Sequence, residues 1–326
     1  LGDPGEAQRG TLRDLRHHGR GLPRVEAHFL HAVAEHDRAL PGLADGGGGH
    51  GQDGSGALRH QDLAALRTRA ERDGDDWVIN GHKWFTSGAK GADFAIVIAK
   101  TDPDASVAQA RNSAFIVPLD SPGFEIVRDV ETMGGKHNHP EVRYNDVRVP
   151  KENLLGERGG GHKLGQVRLG PARLAHCMRW LGQIEMALEM LIDRAQKRFA
   201  HGSLLSEKQS IQWMMSDSAM ELYSSKLMVL HAAYKIENGM EFKQEVSMAK
   251  HHVANTLWRV VDRAMQVHGA LGYSTDTPLA GMMQQARWAR LADGADEVHQ
   301  MRIAELLMKA YNSDGSINQG VGGLPL

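Results

Sequence analysis

Cysteine is almost missing from this chain. Its 326 residues hold one, Cys177, so no intrachain disulfide can form. A lone thiol fits a reducing compartment, and Cys177 lies in a helical pattern as an inert core residue. Charge bias is missing too. With 38 Lys and Arg against 40 Asp and Glu, the formal net charge is −2. Nothing in that balance points to nucleic acid or to an anionic membrane. No apolar run is long enough to span a bilayer. Residues 1–65 go further and lack Lys, Ile, Met, Trp, Tyr, Asn and Cys altogether.

What is present is ordinary for a folded protein. The chain is 41% hydrophobic and 24% charged, and its length suffices for two domains. The first segment, residues 1–68, stands apart. It is rich in Gly, Arg, Ala and Leu, carries His17, His18, His28, His31, His36, His50 and His60, and has a Gly-rich run from Gly47 to Gly54. The missing residue types are mostly those with AT-rich codons, so one reading is GC-rich DNA translated out of frame. The alternatives are a flexible tail or a poorly packed helix around Val25 to Leu40. Its histidines share no repeating spacing and no cysteine partner, which argues against a metal site.

Residues 69–155 carry strand signals. Trp77-Val78-Ile79 and His82-Lys83-Trp84-Phe85-Thr86 flank Asn80-Gly81, a pair that predicts a two-residue hairpin turn. Short apolar runs follow at Phe94 to Ala99, Ala114 to Leu119 and Phe124 to Val127. Val142 to Val149 alternates unevenly and stops at Pro150. Strands punctuated by Gly and Pro, with no helix between them, predict an antiparallel sheet or small barrel.

After the Gly-rich joint at 156–161 the period becomes helical. Leu174 to Phe199, Ile211 to about Asn238, Val246 to Val267, Pro278 to about Leu291, and Val298 to Ala310 each repeat apolar residues every three or four positions. Long helices with short joints predict an antiparallel bundle over residues 156–312, followed by a Gly-rich tail at 313–326. His251-His252 and the pair His137 and His139 are adjacent or alternate, a poor geometry for sharing one metal, and no metal is expected.

One turn stands out between the last two helices, Arg290 to His299. An acid beside Gly294 is ordinarily a helix cap. Asp293 on a short turn between packed helices can instead be aimed into a cavity. Desolvation then makes a carboxylate a better proton acceptor near neutral pH.

Taken in order, these segments resemble the acyl-CoA dehydrogenase family. Trp77 to Gly88 is similar to its flavin-contacting hairpin, and Val147 to Gly156 to the exit from its β domain. Arg168-Leu169-Gly170-Pro171-Ala172-Arg173, the Arg198 to Gln209 stretch, Gln266 to Gly272 and the Asp293 turn follow in family order. The wording is closest to the branch of family members ten and eleven and their bacterial relatives. The resemblance covers about residues 70 to 312. It implies an α+β fold: a middle antiparallel, β-barrel-like domain, then a C-terminal antiparallel four-helix bundle. On this resemblance the family's N-terminal helical domain is expected to be absent or disordered, since no Met-Thr-Glu-Pro type segment stands before the hairpin in these residues.

The resemblance also implies chemistry. The reaction would be FAD-dependent α,β-dehydrogenation of an acyl-CoA to a trans-2-enoyl-CoA, with electrons passed to an electron-transfer flavoprotein. An oxidase is the rival within the same fold. The alternative from another class is a flavin-free helical assembly module or an inactive truncated homologue. Asp293 would be the base; most of the family has Glu there, one methylene longer. Trp84 and Thr86 would meet the flavin ring, by stacking and by hydrogen bonding. Arg198 would hold the pyrophosphate, since a guanidinium makes bidentate contacts. Gln209 would contact the flavin, although Ser206 to Gln209 also has the wording of a capping box. Gln266 and Gly269 would approach the adenine-side phosphate across a subunit boundary, and Ala270 replaces the family's second Gly. Glu297 would reach the adenosine half, and Arg173 the CoA portion. Asp296 and Glu297 also suit the cap and first turn of the last helix. A homodimer or homotetramer is implied, cytoplasmic in a bacterium and mitochondrial or peroxisomal in a eukaryote.

Overall fold

The computed structural model describes residues 66–315. The readings of residues 1–65 and of the tail beyond 315 lie outside the described residues. Seven strands make one sheet: β1 (Arg69–Asp73), β2 (Asp76–Lys83), β3 (Phe94–Lys100), β4 (Asn112–Pro118), β5 (Phe124–Thr132), β6 (Gly135–Pro150) and β7 (Leu154–Leu155). Their order is β5-β6-β2-β1-β3-β4-β7. All pairings are antiparallel except the Arg69–Lys100 contact between β1 and β3. The barrel expected from the sequence does not close. β5 and the two-residue β7 remain the two edges of an open sheet.

The expected Asn80-Gly81 turn is also corrected. β2 runs straight through both residues, and the chain reverses earlier, at Gly74-Asp75, where Asp73 pairs with Asp76 and Gly74 has φ +62°. Asn80-Gly81 instead marks a β-bulge against β6. The Asn80 side chain bonds both the backbone N–H and the carboxylate of Asp146, each at 2.9 Å. A Cβ on Gly81 would stand 2.4 Å from Thr68 Oγ1, so only glycine fits. The bulge explains the uneven alternation of β6. Val142 and Tyr144 face the core on one side of Asp146 (φ +51°), Val147 and Val149 on the other. An extra residue shifts the two-residue period by one. Trp77, Ile79, Val97, Phe115 and Val117 complete this core, and Trp77 meets Phe115 edge-on at 5.2 Å.

Six helices follow: α1 (Gly161–Lys197), α2 (Gln209–Glu237), α3 (Lys243–His268), α4 (Ala270–Tyr273), α5 (Leu279–Ala289) and α6 (Asp296–Asp314). A small hairpin of β8 (Phe199–Ala200) and β9 (Ser203–Leu204) separates α1 from α2. The expected helices all form. α1 begins thirteen residues before Leu174 and carries Pro171 inside it. The capping box does not form: α2 starts at Gln209 after Lys208, with no side-chain cap. α3 is the central helix and packs against α1, α2, α5 and α6. Its Val246, Ala249, Val253, Leu257 and Val260 are fully or almost fully buried, against Ile184 and Leu191 of α1 and Leu279 of α5. Each such large aliphatic side chain contributes about 1.5–3 kcal/mol. Among the described residues, no helix is long and apolar enough to cross a membrane.

Candidate active site

The turn between α5 and α6 puts Asp293 and Gly294 at φ +54° and +108°. A non-glycine residue at positive φ is strained by about 1 kcal/mol or more, so surrounding contacts must hold it. They are present. Arg173 Nε of α1 donates to the Asp293 carbonyl at 2.7 Å, and His299 Nε2 of α6 reaches the same oxygen at 3.3 Å. Lys250 Nζ of α3 donates to the Gly294 carbonyl at 2.6 Å. A Cβ on Gly294 would lie 2.8 Å from His299 Nε2, which excludes other residues there. Asp293 is therefore fixed from three helices, and it is buried, only 6% exposed.

Its carboxylate faces α1. His176 Nε2 stands 3.0 Å from Asp293 Oδ2. Burial shapes the remaining groups. It pulls the Lys250 ammonium down to about 8, against the attraction of Asp296, Cys177 and Asp293. His299 falls to about 3, through burial and then the nearby Lys250 and Arg173, so it is a neutral donor near pH 7. Burial lowers Arg173 as well and pushes the Cys177 thiol up to about 12, which leaves it inert.

Asp296 has another task. Burial alone would raise its pKa. Bonds from His251, from Arg290 Nε at 2.7 Å and from Asn255 Nδ2 at 3.0 Å hold it well below the usual carboxylate range. It lies in the first turn of α6 and Ala295 is the cap, so the expected capping by Asp296 is not found. Of the two acids, Asp296 is tied to neighbouring cations, and Asp293 is held mainly through its backbone.

The hairpin residues are displaced from their expected strand. β2 ends at Lys83, and Trp84 to Gly88 form a loop pinned to β6 by Thr86 N–H on the Pro140 carbonyl and Gly88 N–H on the Asn138 carbonyl, both at 2.8 Å. Phe85 adopts φ +59°, touches Trp84 edge-on at 4.7 Å and stacks on His139 at 5.3 Å. This loop, the β5–β6 turn and α5 enclose a cavity of about 400 Å³. Phe85, Met133, His139, Gln284, Trp288 and Leu291 are among its walls. Trp288 also meets His176 edge-on at 5.4 Å. Asp293 is thus linked to the hairpin loop through His176, Trp288 and the cavity.

The other candidates are scattered over the surface. Arg198 at the end of α1, Gln209 at the start of α2, Gln266 and Gly269 at the end of α3, and Glu297 on α6 are all exposed. Arg173, expected at the CoA portion, is instead half-buried and bonded to the turn. His176, Lys250 and His299 were not singled out from the sequence. A signal existed for two of them: His176 is one helical turn from Arg173, and Lys250 sits in the apolar stripe of Val246, Ala249 and Val253.

Does this site suit a flavin? Thr86 Oγ1 is buried and meets no hydrogen-bond partner among the described residues, which a polar ring atom would supply. The cavity beside the loop is mostly apolar and aromatic and falls in the size range of small-molecule sites. Exposed Arg198 suits a phosphate. The residues present fit the group.

The buried acid Asp293 thus lies two residues from Leu291, which with Trp288 and the hairpin loop's Phe85 lines an apolar cavity. Comparison with known proteins is specific. Residues 59–147 match the model of the acyl-CoA dehydrogenase middle domain, and residues 159–308 that of the C-terminal domain. The chain belongs to the acyl-CoA dehydrogenase family. It is 42% identical over 254 residues to a protein of Mycobacterium tuberculosis described as a probable acyl-CoA dehydrogenase, FadE2, covering 76% of this chain and 62% of that one. It is 41% identical to acyl-CoA dehydrogenase family member 10 of Mus musculus, over 76% of this chain and 24% of that one. The structure of butyryl-CoA dehydrogenase from Megasphaera elsdenii matches with a TM-score of 0.67 and 31% identity, over 73% of this chain and 62% of that one. The chain therefore spans less than two thirds of the length of these relatives.

Proposed function

We propose that this chain catalyses the α,β-dehydrogenation of an acyl-CoA thioester to a trans-2-enoyl-CoA. Asp293 is the base that removes the α-proton. The observation that carries this reading is its buried carboxylate, on a turn clamped by Arg173, Lys250 and His299, with Trp288 leading from His176 to the cavity. The α C–H is a very weak acid, so charge developing on the thioester oxygen must meet preorganised donors. In this reading the Asp293 backbone N–H is one of them. A base held rigidly at the reacting carbon saves the entropy of finding it. The cavity's apolar wall takes the acyl chain and keeps water from the carboxylate.

FAD, when bound, supplies the acceptor for the β-hydride. Trp84 and Thr86 would hold its ring, and Arg198, Gln209, Gln266, Gly269 and Glu297 its outer half. Electrons would pass on to an electron-transfer flavoprotein; peroxide release in air would mark an oxidase instead. Self-association belongs to the same proposal. α2 exposes Trp213, Met220, Tyr223, Leu227, Leu230 and Tyr234, mostly at alternating spacings of three and four. That is the pattern of a helix seam, which a second copy would cover. We also take α1, α2, α3 and α6 as the four-helix bundle.

The test is to load the full chain with FAD and mix it with acyl-CoAs of graded length under anaerobic conditions. Loss of flavin absorbance together with enoyl-CoA formation is expected for at least one chain length. Stable yellow protein with every substrate would overturn the reading, and failure to take up FAD would favour the flavin-free assembly module.

A further inference from the structure

Trp288 is a bulky ring at the end of the cavity nearer the base, and the function as proposed gives it no selective task. α5 turns two faces to different surroundings. Met282, Ala286 and Ala289 are buried in the helical core. Gly281, Gln284, Gln285 and Trp288 line the cavity, at the offsets of three, four and seven that share one helix face. Leu291 continues that lining past the helix end, two residues before Asp293. The largest side chain of the face therefore stands near the base and the smallest far from it. A Cβ on Gly281 would meet nothing within 4 Å. Gly281 and Trp288 are about two helical turns, or roughly 10 Å, apart.

The Trp288 ring has no room to retreat towards α1. It meets His176 edge-on at 5.4 Å and Trp180 at 6.4 Å, the latter with the planes 80° apart. Both partners belong to α1 and both are buried. His176 Nε2 in turn stands 3.0 Å from Asp293 Oδ2. A carbon within reach of the Asp293 carboxylate therefore has Trp288 one side chain away. A wall backed by packed rings discriminates by clash, because close-packed side chains do not yield to an added methyl group.

We infer that Trp288 is a specificity-determining residue: its indole walls the space beside the α-carbon and confines the substrate to acyl thioesters unbranched there. This rests on the dehydrogenase reading above. An α-methyl group would project from the very carbon that Asp293 must reach, and the thioester would have to shift to clear the ring. That shift takes the α-proton away from the carboxylate, so it costs rate as well as binding. One methyl group more or less in a hydrophobic pocket is discriminated by roughly tenfold to a hundredfold. Gly281, at the far end of the same face, sets no such limit at the α-carbon.

The test uses butanoyl-, octanoyl- and dodecanoyl-CoA with their α-methyl counterparts on the flavin-loaded full chain, and on Trp288→Phe, Trp288→Ala and Gly281→Leu. The quantity read is the ratio of the second-order rate constants of anaerobic flavin bleaching, straight over branched, at the chain length that bleaches fastest. The unsubstituted chain should favour the straight thioester by about tenfold or more. Trp288→Ala should bring the two within about threefold of each other, with Trp288→Phe between. Gly281→Leu fills the same cavity at its far end and should leave the ratio where it was. Trp288 is 36% exposed, so Phe in its place keeps the core covered, and that variant carries the test alone if Ala does not fold. Equal use of both thioesters by the unsubstituted chain, a ratio unmoved by the Trp288 variants, or the same shift in Gly281→Leu overturns the inference. If no straight acyl-CoA bleaches the unsubstituted chain, the dehydrogenase reading fails. Calorimetric binding of the butanoyl pair to the same variants, read as the same ratio, then decides whether Trp288 is the wall; binding of neither overturns it.

Discussion

Lys250 Nζ and the Gly294 carbonyl oxygen lie 2.6 Å apart beneath the turn that carries Asp293. Lys250 is fully buried, and burial brings its pKa from 10.5 down to about 8. The folded state therefore gives up this proton at lower pH than the unfolded chain. The cost of the buried charge is complete below pH 8 and is relieved as pH rises from 8 to 10.5. Two and a half units correspond to something on the order of 3 kcal/mol. Replacing Lys250 by Met removes the titration. The stability of the unsubstituted chain relative to Lys250→Met, measured by urea unfolding, should rise over that interval. A difference that is flat across it contradicts the assignment.

Asp296 has the opposite sign. Its folded pKa is depressed below 3.8, so its contribution is complete above that value and is lost as pH falls through the folded pKa. Asp296→Asn removes the charge paired with the partly exposed Arg290 and should cost about 1–2 kcal/mol at pH 7, less than a fully buried pair would, because solvent reaches the guanidinium. The deficit should shrink when unfolding is measured at progressively lower pH below about 4. A deficit that is independent of pH would show that the ion pair is not its source.

Gly294→Ala tests the clamp from the backbone side. The new Cβ would meet His299 Nε2 at 2.8 Å on a residue with φ +108°. The expected loss is about 2 kcal/mol of stability, with flavin bleaching slowed by roughly a hundredfold because the acid shifts. Thermal unfolding and stopped-flow absorbance read the two effects; unchanged kinetics would show that the turn tolerates movement.

How much of this was visible in the sequence depends on locality. The helices were legible because their apolar periods are local, and Pro171 inside α1 did not interrupt them. The Asn80-Gly81 signal was misread because the same φ freedom that suits a turn suits a bulge, and the choice is made by Asp146, 66 residues away. Sheet order and the open edges depend on such distant pairings. Asp293 was singled out from its turn and its family wording, and its burial was not legible there. Lys250 could have been found, being the one Lys in a buried stripe, but its target, Gly294, is 44 residues further on. His176 needed the same kind of long-range contact, across to Asp293.

The exposed seam of α2 predicts an assembly. Tyr223 is 67% and Leu230 65% exposed, and neither supports the core of its own chain. Replacing both by Lys should leave helical content intact and convert the assembly to monomers in sedimentation. An unaltered sedimentation coefficient would place the self-contact elsewhere.

Asp293→Asn in the flavin-loaded chain, mixed anaerobically with a substrate that bleaches the unsubstituted chain, tests the central claim most directly. The amide keeps the size of the carboxylate and cannot take the α-proton. The protein should remain yellow and bind acyl-CoA, while bleaching and enoyl-CoA formation fall by roughly a thousandfold or more. Bleaching at the unsubstituted rate would contradict the assignment of Asp293 as the base.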